Sequence, residues 1–136
     1  MVKKIIISIL LVGVIITAIG FWNTARVSVN FASSAIIKYN YMDNYNEEVI
    51  TDETELVALK SILSGFSWKD SPSCGFSVDI SITFTDGKKE LILCPACDGD
   101  PIIRVGDSDR YLEISDEARS SLDAILEQYG MIFPYF

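Results

Sequence analysis

Cys94-Pro95-Ala96-Cys97 is the arrangement in this chain best suited to chemistry. A Cys-x-x-Cys pair brings two sulfurs close and can lower one thiol pKa, which is the basis of thiol oxidoreductase sites. Such pairs work best at the first turn of a helix, where the dipole stabilises a thiolate. Here the motif follows the strand-like Glu90-Leu-Ile-Leu93 and runs into Asp98-Gly99-Asp100-Pro101, which is not a helix start. The acids also oppose thiolate formation. The spacing suits one half of a zinc ribbon as well, but such a site needs a second ligand pair. Only Cys74 remains, there is no histidine, and Asp98 or Asp100 would have to complete the set.

The rest of the catalytic inventory is thin. Absence of histidine removes the commonest general base and zinc ligand and every Ser-His or Cys-His pairing. There is no Gly-x-Ser-x-Gly elbow and no glycine-rich phosphate loop. The acidic turns Asp98-Gly-Asp100 and Asp107-Ser-Asp109 begin like calcium loops. Neither continues as one, because Ile102 and Tyr111 stand where oxygen ligands belong. The expectation is no catalytic residue, no metal and no cofactor. Tyr39, Tyr41, Tyr45 and Trp68 could line a binding surface; at alternating strand positions they read first as half-buried core.

The compartment decides how the cysteines are read. Ile5 to Trp22 carries no charge over 18 residues and is preceded by Lys3 and Lys4, with Arg26 the first charge after it. As a helix it reaches about 27 Å, close to the roughly 30 Å hydrocarbon core of a bilayer. The run is longer than a usual signal-peptide core, and Phe21 and Trp22 stand where an interfacial aromatic belt would be. An uncleaved signal-anchor is therefore preferred. The alternative is cleavage after Gly20, since Ala18-Ile19-Gly20 offers the small residues of a signal-peptidase site. Both place residues 26–136 outside the cytoplasm, by the positive-inside bias. The Lys-Lys-Ile-Ile-Ile start suggests a bacterial export signal. Outside the cell, three cysteines read first as a structural disulfide with one thiol left over.

Charge narrows the partners. The chain has 11 basic and 19 acidic residues, and beyond residue 25 the balance is 9 against 19. Such a domain is repelled from nucleic acid and from anionic lipid by its net field.

The elements around the cysteines follow from periodicity. Val27, Val29 and Phe31 alternate in a first strand or stalk, and Ala35–Tyr41 and Glu48–Thr51 read as strands. Asp52 with Glu55 marks a helix start, Leu56, Leu59, Ile62, Leu63 and Phe66 one apolar face, and Gly65 the stop. Residues 67–75 read as a loop. Phe76, Val78, Ile80, Ile82 and Phe84 alternate strictly with polar residues, a half-buried strand. Asp86-Gly87 as a two-residue turn pairs Phe84 with Lys89, Ile82 with Leu91 and Ile80 with Leu93. That ladder, extended, puts Cys97 diagonal to Cys74 on one face and Cys94 on the other. Cys74–Cys97 is the expected disulfide and Cys94–Cys97 the next choice. Residues 102–105 and 110–114 are short strands, and a second helix starts at Ser115 or Asp116, with Ala118, Leu122, Ile125, Leu126 and Tyr129 on its core stripe. Gly130 ends it, and the apolar tail cannot extend it through Pro134.

The expected class is α+β: a small two-layer domain over residues 26–136, an antiparallel sheet of four to six strands with two helices on one face, preceded by a transmembrane or signal helix in residues 1–25. The expected role is a membrane-tethered or secreted extracytoplasmic binding module, non-enzymatic, whose partner is another envelope protein docked on the apolar C-terminal tail. The rival is a thiol-active envelope protein using Cys94 and Cys97, with an inhibitor of an exported toxin as a third reading.

Overall fold

The computed structural model describes residues 2–133, with the side chains of residues 2–4, 21 and 22 left aside. It is a mixed α+β chain of three helices and one eight-stranded antiparallel sheet. Helix α1 (Val2–Asn23) comes first, then β1 (Thr24–Val27), β2 (Ser34–Tyr41) and β3 (Asn44–Ile50). Helix α2 (Glu53–Ile62) leads to β4 (Gly65–Lys69), β5 (Ile80–Thr85), β6 (Glu90–Pro95), β7 (Ile102–Val105) and β8 (Arg110–Glu113), and α3 (Asp116–Glu127) closes the series. The strands lie in the order β1-β4-β8-β7-β6-β5-β2-β3, all antiparallel.

The strand count exceeds the expected four to six. One of the additional strands is β4, in a stretch read as helix stop and loop. Its inward positions are Gly65 and Ser67, while its large residues Phe66 and Trp68 face outward. Hydrophobicity is thus inverted relative to the core. The small inward residues have a reason: a Cβ on Gly65 would stand 2.9 Å from Leu112 Cδ1. Ser67 is buried and satisfies its hydroxyl by donating to the Ala25 carbonyl at 3.1 Å.

Both helices of the domain start as the sequence predicts. The Asp52 carboxylate accepts from Glu55 N at 3.0 Å, and Ser115 Oγ accepts from Ala118 N at 3.1 Å. Leu56, Leu59, Leu122 and Leu126 from the two helices join Ala35, Ile37, Ile82, Phe84, Leu93 and Ile103 of the sheet in one buried cluster. Each of the buried Leu, Ile and Phe side chains contributes roughly 1.5–3 kcal/mol relative to exposure.

The β5–β6 ladder is displaced by two residues from the expected one. Ile82 pairs with Leu93 and Phe84 with Leu91. The turn is four residues long because the Asp86 carboxylate accepts from both Lys88 N (2.9 Å) and Lys89 N (2.7 Å), with Gly87 at φ +86°. An even displacement keeps every side chain on its face, so Leu91 and Leu93 still face the core.

The strand expected from Phe76 starts only at Ile80. Ser77 breaks it: its Oγ accepts from Asp79 N at 3.1 Å, and its carbonyl accepts from Ile80 N at 3.2 Å. Phe76 then lies over the outer face of the sheet, 5.3 Å from the Tyr111 ring, with the Arg104 guanidinium 5.7 Å from its own ring.

Helix α1 stands apart from this core. Its described apolar side chains, Ile5 to Ile19, are 49–67% exposed. Among the described residues no helix is long and apolar enough to cross a membrane; the described side chains of the apolar run end at Gly20, two short of Trp22. The expected aromatic belt at Phe21 and Trp22 lies outside the described side chains, and Pro134 outside the described residues.

Candidate functional site

The three cysteines converge on one corner of the domain, where β6 ends, residues 70–79 cross the outer face and α3 closes from the other side. Cys94, on β6, points to the outer face and is fully buried, its Sγ 3.6 Å from the Gly106 carbonyl. Cys97 follows the strand in a turn closed by Gly99 N to the Ala96 carbonyl at 3.3 Å, with Gly99 at φ +87°. Cys97 packs against the core cluster, and its N–H donates to the Gly75 carbonyl at 2.8 Å. That bond sets Cys97 beside Cys74 through backbone outside the β5–β6 ladder. All three cysteines are free thiols in this structure.

The electrostatics of the corner oppose thiolate formation. Burial, then hydrogen bonds to Asp100 and Asp98, push the Cys74 thiol up to about 12. Its Sγ lies 3.1 Å from Asp100 Oδ2. Burial also raises Cys94, with Arg104 opposing, and raises Cys97, with Asp98 adding to it and Arg119 and Arg104 opposing. An activated cysteine needs the reverse: a nearby cation that outweighs burial.

Cys74 Sγ and carboxylate oxygens of Asp98 and Asp100 lie within 4.8 Å of one another. One sulfur and two carboxylates are a mixed donor set for a borderline divalent ion, one ligand short of a closed tetrahedron. Neither Cys94 nor Cys97 joins that set. The other acidic turn is committed elsewhere. Asp107 pairs with Arg104 at 3.5 Å and Asp109 with Lys69 at 3.4 Å.

The residue that shapes the corner is Arg119, which periodicity did not single out. It is 3% exposed. Its Nε donates to Asp123 at 2.8 Å, its Nη2 to the Ala96 carbonyl at 3.0 Å and its Nη1 to the Asp100 carbonyl. Its guanidinium also sits 4.6 Å from the Phe133 ring. One side chain thus ties the Ala96–Asp100 turn to α3 and to the tail. The signal was present: Arg119, Leu122 and Leu126 fall at helical spacing on one stripe, which makes the arginine inward-facing. Burial raises the Asp123 carboxyl although Arg119 lowers it, because desolvation outweighs the ion pair there.

The aromatic residues do not form one surface. Tyr39 is core and stacks with Tyr41 at 6.4 Å, and Trp68 lies near the opposite edge of the sheet. Tyr45 is 66% exposed and, with Tyr39, Asn44 and Ile132, lines an open groove of about 460 Å³. The tail is used by its own domain: Met131 is fully buried and Phe133 packs on Arg119 and the core, while Ile132 is exposed.

Strand direction places both features. β1 leaves α1 at Thr24, and following the antiparallel ladders, Lys69, Arg110, Val105, Thr85, Ser34 and Ile50 mark the sheet end nearest α1. The β2–β3 turn with its groove and the Cys97–Asp100 turn lie at the opposite end. No protein-family model matches this chain, and neither a curated protein nor a solved structure matches it.

Proposed function

We propose that the chain is a single-pass membrane protein whose α+β domain works outside the cytoplasm as a binding module, without catalysis of its own. The observation that carries this reading is α1. Its described apolar side chains are about half exposed or more from Ile5 to Ile19, so they pack on nothing in the domain, and α1 spans 22 residues over the run that sequence hydropathy marks for a bilayer. The partner is another envelope protein, met at the sheet end opposite the anchor, where the groove beside Tyr45 opens. The tail is not the docking element over Met131 and Phe133, because the domain itself covers those two.

Outside the cytoplasm the Cys74–Cys97 pair closes as a staple. Two thiols lose two protons and two electrons to a small-molecule disulfide, which is reduced to two thiols. The high thiol pKa values make that closure slow without a catalyst. They also weigh against the thiol-active alternative. The test is alkylation of the reduced domain as a function of pH. A Cys94 or Cys97 thiol titrating well below the free value of about 8.5 supports the enzyme, and two thiols titrating above it support the binding module.

A further inference from the structure

We infer that the rim of the sheet formed by Trp68, Lys69 and Arg110 lies in the lipid headgroup layer of the membrane that α1 enters; the inference rests on reading α1 as an anchor. No linker separates helix from sheet. α1 ends at Asn23, and the next residue, Thr24, is already paired with Trp68. Trp68 is paired in turn with Tyr111, and Lys69 with Arg110. Thr24, Trp68 and Tyr111 therefore form one row across three strands. Lys69 and Arg110 lie one residue, about 3.3 Å, closer to the anchor than that row. They stand level with Asn23, and Arg110 Nη1 lies 3.4 Å from the Asn23 carbonyl. Apolar chain ends one residue before Asn23, at Trp22. Residues at the depth of Asn23 are then at the boundary between hydrocarbon and headgroups.

The side chains suit that depth. Tryptophan is enriched at the interface, and long cationic side chains reach from an apolar rim to phosphate. Trp68 is half-buried on the outer face, and Lys69 is exposed. The charges facing them are Asp109, which pairs with Lys69 at 3.4 Å with both side chains more than half exposed, and Asp70, whose N–H donates to the Asp109 carbonyl at 3.1 Å. The rim is therefore close to neutral. It meets headgroups through individual donors and the indole, whereas the domain as a whole is repelled from anionic lipid. The consequence is a fixed orientation: the groove beside Tyr45 and the Cys74 corner point away from the bilayer.

The experiment uses the full chain reconstituted in phosphatidylcholine vesicles. The chain has two tryptophans, so Trp22→Phe leaves Trp68 as the sole reporter. A fraction of the lipid carries a nitroxide on its headgroup. Quenching of Trp68 by at least about twofold relative to unlabelled vesicles is expected for an indole at the interface. A far-end reporter, Tyr41→Trp in the Trp22→Phe, Trp68→Phe chain, is expected to lose little. If that variant does not fold, the Trp22→Phe chain is read alone, with and without nitroxide. Flotation with the vesicles but unquenched Trp68 overturns the inference alone. Failure to float overturns the anchor reading and the inference together.

Discussion

Replacing Arg119 with alanine should loosen the cysteine corner before it unfolds the domain. The side chain is 3% exposed, donates three hydrogen bonds and covers Phe133. Its loss leaves the carbonyl of the fully buried Ala96 without this donor, at about 1–3 kcal/mol. The Asp123 pair adds about 1 kcal/mol at most, since that carboxylate is 34% exposed. The Asp100 carbonyl, on an exposed residue, can turn to water. With lost packing of the arginine stem the total is about 3–4 kcal/mol, and for a domain of about 111 residues that lowers Tm by roughly 13–17 °C. Arg119→Met, which keeps the stem, should recover about 1 kcal/mol of this. The second readout is local. Arg119 fixes the turn that carries Asp98 and Asp100, and burial together with hydrogen bonds donated to those carboxylates holds the Cys74 thiol at about 12. With the turn released, iodoacetamide should alkylate Cys74 of the reduced, folded variant at pH 8 at least about tenfold faster. Peptide mass spectrometry measures the rate. A folded Arg119→Ala domain that loses less than about 1 kcal/mol, or whose Cys74 reacts no faster than the parent's, would refute the role given to Arg119.

Three further outcomes are expected. Closing the loop from Cys74 to Cys97 should stabilise the domain by about 3.4 kcal/mol on the chain-entropy relation, so reductant should lower the Tm of the parent but not of Cys74→Ser; three alkylatable thiols in non-reduced protein would contradict the staple. Tyr129 donates a hydrogen bond to Glu55 and is pushed up to about 12, so its neutral form is favoured in the folded state. Stability from it is complete below pH 10 and lost as pH rises to about 12, and Tyr129→Phe should flatten that fall in urea titrations. Met42 is the one non-glycine residue at positive φ among the described residues, at +54°, and is 80% exposed. Met42→Gly should raise stability by about 0.5–1 kcal/mol, and an unchanged or lower Tm would show that the turn is not strained there.

What the sequence showed and hid follows from where each residue points. The helix starts at Asp52 and Ser115 were legible because a cap is a local event, a side-chain oxygen meeting an N–H three residues on. The faces of β5 and β6 were legible because alternation survives a two-residue slip, while the slip itself came from Asp86 accepting two backbone donors, which the Asp-Gly signal does not specify. β4 was hidden because its inward residues are Gly65 and Ser67 and its bulky residues face out. Phe76 and Val78 extended an alternating pattern past the point where Ser77 turns the chain. In the candidate site, the approach of Cys97 to Cys74 was visible only as a face argument. The contacts that build the corner, Cys97 N to the Gly75 carbonyl and Arg119 to Ala96 and Asp100, join segments remote in sequence and leave no periodic trace.

The most direct test of the account is the side of the membrane on which the domain lies. Asp43 is exposed in the β2–β3 turn, at the sheet end opposite the anchor, and Asp43→Cys provides a reactive thiol there. A membrane-impermeant maleimide should label that variant on intact cells well above the parent chain, in protein that stays with membranes through alkaline carbonate extraction. Labelling only after lysis, or recovery of the chain in the carbonate supernatant, would contradict an anchored domain outside the cell.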